Sequence, residues 1–184
     1  MSVTETIFNL IDMRSFRSLW YWIALAACWS MASHWVLGVP FDMVLRVRRR
    51  RADAGAGDEA GAQLVDMTRL HVARLLRFGR QGGIALAMVA GFALTSLGLL
   101  GFQYRVEFAQ AIFLILAPMT LVAVLSLRAA HRLEAPLAAG TLPPAALARA
   151  LIRHRLMVQG VGMLAITVTA FWGMLQNLRI ASFQ

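Results

Sequence analysis

Four uncharged apolar runs set the pattern of the chain: Leu19–Val39, Gly82–Phe102, Phe108–Leu127 and Leu156–Leu178. Runs of about 20 residues, rising ~1.5 Å per residue, cross a hydrocarbon core ~30 Å thick. Lipid offers the backbone no hydrogen-bond partner, so such runs predict helices rather than strands. The same pattern occurs in buried core helices of soluble proteins, but four of them in 184 residues leave no polar shell to cover them. Composition points the same way. Apolar residues make up 59% of the chain and charged ones 15%, against about 45–50% and about 25% in soluble domains. The predicted fold is all-α: a polytopic membrane protein with four transmembrane helices plus amphipathic interfacial helices, forming a single membrane domain over 1–184. The first run is not a cleaved signal peptide. It starts at residue 19, carries Trp20, Trp22, Trp29 and Trp35, and leads into no small-residue cleavage site.

Charge orients these helices. All 18 basic residues are Arg. Nine lie in 40–81 and five in 128–155, while Arg14, Arg17, Arg105 and Arg179 are the four that remain. Arginine collects on the cytoplasmic side of a membrane, which places both long segments inside and both termini in the periplasm of a bacterial inner membrane. The net charge of +9 is then a topology signal and calls for no nucleic acid.

Between the runs the polar positions are also patterned. In 1–18, Ser2 and Glu5 have capping-box spacing, and Val3, Ile7, Leu10 and Ile11 share one arc, which predicts a periplasmic surface helix. Trp20, Tyr21 and Trp22 follow as an aromatic belt, and Pro40 closes the first run. Arg46, Arg48, Arg49, Arg50 and Arg51 then form a cluster suited to the anionic inner leaflet or to an acidic partner protein. No aromatic residues interleave them to stack RNA bases. After a Gly/Ala/Asp linker over Arg51–Ala62, the segment 63–78 is amphipathic. Leu64, Met67, His71, Val72, Leu75, Leu76 and Phe78 lie on one side, and Asp66, Arg69, Arg74 and Arg77 on the other. That arrangement predicts an in-plane cytoplasmic helix or a groove-binding partner helix, with Gly79, Gly82 and Gly83 permitting a bend into the second span. Pro143 and Pro144 are placed to start a further helix, with Leu147 and Leu151 facing away from Arg149 and Arg153.

Two small-residue stripes run along the spans: Gly83, Ala87, Gly91 and Thr95, and Gly162, Ala165, Thr169 and Gly173. Small side chains let transmembrane backbones approach closely, within one bundle or between subunits. Pro118 is placed to kink the third span.

Chemistry is sparse. His34 is the one ionisable histidine within the runs, and no Asp, Glu or Arg accompanies it, which argues against ion-coupled transport. As a tetrapyrrole ligand it would offer an imidazole nitrogen, with Trp29 and Trp35 beside it. A hydrogen bond to Ser30, Ser33 or a backbone carbonyl is the simpler use. His71 and His154 are not at a matching depth for a second ligand. His131, Arg132 and Glu134 read as a solvated polar turn, and Cys28 as a packing residue. No cofactor, metal site or catalytic set is expected.

The stretch Met13–Arg51, through Trp20, Tyr21, Trp22, Ser33, His34, Trp35, Pro40 and Asp42, resembles small alphaproteobacterial inner-membrane proteins often labelled "component of SufBCD complex". The resemblance implies an inner-membrane location and brings no catalytic residues. These readings give a non-enzymatic accessory, assembly or scaffold subunit that docks other membrane subunits or its own copies. The alternatives are a pigment- or cofactor-associated subunit using His34, and a small oligomeric permease.

Overall fold

The computed structural model describes Phe16 and residues 19–50 and 57–181 of the chain. It is all-helical, in the order α1 (Leu19–His34), a hairpin of β1 (Trp35–Val36) and β2 (Val39–Pro40), α2 (Phe41–Arg50), α3 (Gly57–Gly98), α4 (Glu107–Ala138) and α5 (Pro144–Ala181). Three helices are long and apolar enough to cross a membrane: Glu59–Gln103, Glu107–Ala138 and Pro144–Gln176. The expected surface helix of 1–18, apart from Phe16, and Arg51 of the cluster lie outside the described residues.

The first apolar run departs from expectation. Its helix stops at His34, and the chain reverses through an antiparallel pair with Trp35 opposite Pro40 and Val36 opposite Val39. Leu37 and Gly38 form the two-residue turn, with φ of 52° and 82°. Positive φ at both positions matches the twist of a tight hairpin. For Leu37 this conformation costs about 1–2 kcal/mol, offset by burying its side chain in the core, worth roughly 2 kcal/mol. A turn of this kind is hard to find within a continuous apolar run.

The amphipathic stretch 63–78 is likewise not a separate in-plane helix. α3 runs for 42 residues through Gly79, Gly82 and Gly83 without a break. Each glycine costs a helix about 1 kcal/mol relative to alanine, which is less than leaving backbone groups without partners in an apolar solvent. The helix also begins earlier than expected, at Gly57 inside the anticipated linker. α4 is unbroken through Pro118. It reaches Ala138, so His131, Arg132 and Glu134 stand on a helix and not in a loop.

α4 ends in a two-bond cap. Thr141 N–H donates to Pro136 O and Gly140 N–H to Leu137 O, with Gly140 at φ 66°, where glycine pays no steric penalty. α5 then opens at Pro144, whose missing N–H has no intrahelical acceptor at that position.

By packing, the chain forms two units. One gathers the described residues up to Trp29, Met88–Thr120 and those from Val161 onward; the other is Ser30–Ala87 with Leu121–Gly160. The second has an ordinary hydrophobic core, in which Leu37, Val39 and Val44 meet Leu64, Val72 and Leu76 of α3, Leu133 and Leu137 of α4, and Leu147 and Leu151 of α5. The apolar arc of 63–78 is thus used partly against protein, while Met67 and Phe78 stay exposed. In the first unit, Phe16 packs on Gly173 and Trp29 on Gly162, so α1 runs antiparallel to α5.

Gly38 tests the hairpin. A Cβ there would run into His71 Cδ2 at a left-handed φ. Gly38→Ala is expected to lower stability by about 2–3 kcal/mol, read as the thermal unfolding midpoint of the purified chain. Adding His71→Ala should recover the contact share and leave about 1 kcal/mol of backbone strain.

Candidate functional site

The hairpin projects α2 so that Val44 enters the core while Arg46, Arg48 and Arg49 stay exposed. Arg46 pairs with Asp42 one turn earlier, at 2.7 Å. Arg48, with Val47, lines a groove of about 370 Å³ whose other wall is Arg149, Ile152, Arg153 and Leu156 of α5. Arg155 sits over the Phe41 ring, 3.6 Å from its centroid, a cation–π contact that fixes the start of α2 against α5.

The arginines of α3 divide. Arg69 donates to Leu137 O at 2.8 Å, which satisfies a carbonyl in the last turn of α4. Arg80 pairs with Glu134, and His131 stands 3.9 Å from the same carboxylate. Arg74 and Arg77 are exposed. Among the described residues, Arg46 and Arg80 are the arginines with a carboxylate within 4 Å.

The described histidine side chains, His71, His131 and His154, have separate partners. His34 ends α1, and its side chain, like that of Arg50, lies outside the described ones. His71 Nδ1 donates to Met67 O at 2.9 Å, which fixes its tautomer, and its ring seats the hairpin turn. His154 is buried at 4% exposure, with Nε2 3.2 Å from Ser126 Oγ on α4. Among the described residues no three His, Cys, Asp or Glu side chains gather as a metal site.

The two stripes meet different environments. Gly162, Ala165, Thr169 and Gly173 are buried, and a Cβ on Gly162 would sit 2.7 Å from the Trp29 ring. On α3, Ala87, Gly91 and Thr95 are exposed and Gly83 half-buried, with nothing within 4 Å of a Cβ on Gly83 or Gly91. Around them Ile84, Leu86, Met88, Val89 and Phe92 are all exposed.

A polar cluster in the first unit escaped sequence reasoning. Gln110, 2% exposed, donates through Nε2 to Gly101 O at 2.7 Å. Its Oε1 accepts from Trp172 Nε1 at 2.9 Å and from Gln176 Nε2 at 2.7 Å. A short π-helical turn, Leu99–Gln103, brings Gly101 so close that a Cβ would lie 2.9 Å from Gln110 N. One amide thereby ties three elements, as polar groups do between helices in apolar surroundings. Nearby, Glu107 accepts from Phe16 N–H at 3.0 Å and Tyr21 donates to Ala111 O at 3.3 Å. The signal was present: neutral Gln110 and Gln176 are amide side chains within apolar runs, and attention to ionisable groups alone passes over them. The arrangement joins the end of α3, α4 and α5 through one side chain.

Comparison with known protein families, with curated proteins and with solved structures finds no match to this chain.

Gln110→Leu keeps the volume and strips the cluster. Trp172 Nε1, Gln176 Nε2 and Gly101 O lose their partner together, which predicts a loss of roughly 2–4 kcal/mol. Gln110→Glu keeps the acceptor for Trp172 and Gln176 but loses the donor to Gly101 O and buries a carboxyl group, so it should also destabilise by the same unfolding measurement.

Proposed function

We propose that the chain is a non-catalytic accessory or scaffold subunit of a bacterial inner membrane that docks other membrane helices. The observation that carries this reading is the contrast between the stripes. On α5 the small-residue face is filled by Trp29 of α1 and by Phe16. On α3 the same device faces outward, and among the described residues nothing lies within 4 Å of a Cβ on Gly83 or Gly91. The most apolar eighteen-residue stretch of that helix has none of its residues buried, an apolar surface that water does not tolerate at such length. Lipid covers most of it, and a partner helix seats on Gly83, Ala87, Gly91 and Thr95, where backbones can approach closely.

The finer topology is four crossings with both termini in the periplasm. α3, α4 and α5 supply three. α1 supplies the fourth with 16 residues, about 24 Å, a length that a short span completes by local bilayer thinning and by its flanking aromatics. Its antiparallel packing on α5 within one unit supports this, as does the exposure of Trp20 at its start. The resemblance of Met13–Arg51 to small inner-membrane proteins adds support for the location.

Recovery from membranes in mild detergent is expected to yield partner chains at fixed stoichiometry. Gly83→Leu with Gly91→Leu should cut that recovery about tenfold, since bulk at a close-approach face forfeits the contact, and should leave the unfolding midpoint unchanged. A clean monomer that loses nothing in the double variant overturns the scaffold reading. A periplasmic reporter fused after Gln184 tests the topology independently and should be active.

A further inference from the structure

The groove between α2 and α5 places three guanidinium groups where a single purpose would need them. Arg149 and Arg153 are one turn apart on α5, and Arg48 faces them from α2. Like charges at i,i+4 repel each other on a helix, and a third arginine across the groove adds to the repulsion. Among the described residues no carboxylate stands within 4 Å of any of the three. Arginine placed merely to hold topology can sit anywhere on the inner side. These three converge on one cavity of about 370 Å³.

The rest of the lining identifies the occupant. Val47, Ile152 and Leu156 give the groove an apolar wall, and Leu156 is the first residue of the uncharged run that continues to Leu178. The groove therefore sits where α5 changes from charged to apolar. A ligand that fits carries a compact anion for the guanidinium forks and a hydrocarbon chain to lie along Leu156. Planar guanidinium groups match phosphate oxygens two at a time, and basic pockets between helices at the cytoplasmic boundary suit anionic headgroups.

We propose that this groove is a specific site for an anionic phospholipid, with Arg48, Arg149 and Arg153 on its phosphate and Ile152 and Leu156 along its acyl chain. The proposal rests on the membrane reading above. It adds to a general attraction for the inner leaflet a defined stoichiometric site that joins α2 to α5.

Delipidated protein in neutral detergent, titrated with phosphatidylglycerol, phosphatidylcholine or inorganic phosphate, tests it by native mass spectrometry and thermal unfolding. One phosphatidylglycerol per chain is expected to saturate and to raise the unfolding midpoint, with phosphatidylcholine binding about tenfold more weakly. Arg48→Gln/Arg149→Gln/Arg153→Gln should abolish the preference. Arg74→Gln/Arg77→Gln/Arg132→Gln, which removes the same charge from exposed positions, should keep it. Equal loss in both triple variants, equal binding of the two lipids, or saturation by inorganic phosphate that blocks the lipid each overturns the proposal. Resistance of the chain to alkaline extraction from membranes separates the two failures. A chain that extracts refutes the membrane reading, whereas one that resists without distinguishing the lipids refutes the groove alone.

Discussion

Uninterrupted backbone hydrogen bonding along three helices is the constraint from which the other features follow. α3, α4 and α5 run for 42, 32 and 38 residues, several times the usual globular length. They continue through glycines and through Pro118 and Pro136 of α4, residues that would ordinarily end a helix in water. Water competes for backbone groups and makes such interruptions inexpensive. An apolar solvent offers no such competition, so the helix persists unless a side chain or a cap takes over. Where α4 ends, a glycine cap closes its carbonyls. Where α3 ends, a π-helical turn and the Gln110 amide do so. Each helix contributes to both packing units and meets two surroundings, a close-packed protein core in one and largely exposed apolar faces in the other.

That division explains why one helix reads so differently along its length. In Leu64–Leu76 of α3 the apolar residues form an arc, because the opposite side is polar and only one face meets the core of α4 and α5. From Ile84 to Phe92 they surround the helix and, Ala90 apart, all are exposed. The change from a striped to a uniformly apolar pattern occurs near Gly82, and sequence reasoning treated it as a boundary between two helices. It is a change of surroundings within one helix, from a packed core to an exposed apolar surface, which a pattern of residue types does not distinguish from a break.

Much of the fold was legible for that reason, and the omissions share a cause. The long apolar runs revealed the three long helices, since nothing else accommodates so many uncharged residues. The hairpin after His34 stayed hidden because Trp35, Val36, Leu37 and Val39 are apolar in either conformation, and only Gly38 hints at a turn. The facing of Leu147 and Leu151 away from Arg149 and Arg153 was legible from spacing, and both leucines are in the core. The roles of individual arginines were not. Arg69 as a helix cap, Arg46 in a local pair and Arg48 in a groove depend on which carbonyl, carboxylate or helix lies opposite, and composition carries no such information. The Gln110 cluster was hidden likewise, because its partners are 9, 62 and 66 residues away in sequence.

The distribution of polar groups also bears on what kind of protein this is. In the apolar unit, the described hydrogen bonds of Gln110, Trp172, Gln176, Tyr21 and Glu107 are spent on joining elements to one another, and a buried amide satisfied on both its atoms rigidifies its surroundings. In the other unit, Arg69 and Arg80 brace the helices, while Arg48, Arg74, Arg77, Arg149 and Arg153 face outward without a carboxylate. Here the strained backbone lies at Leu37 and Arg105, at a hairpin and an interhelical turn, where it sets the course of the chain. Polar groups that join elements inside, with an open small-residue face and a basic groove outside, are the features on which the accessory-subunit proposal rests.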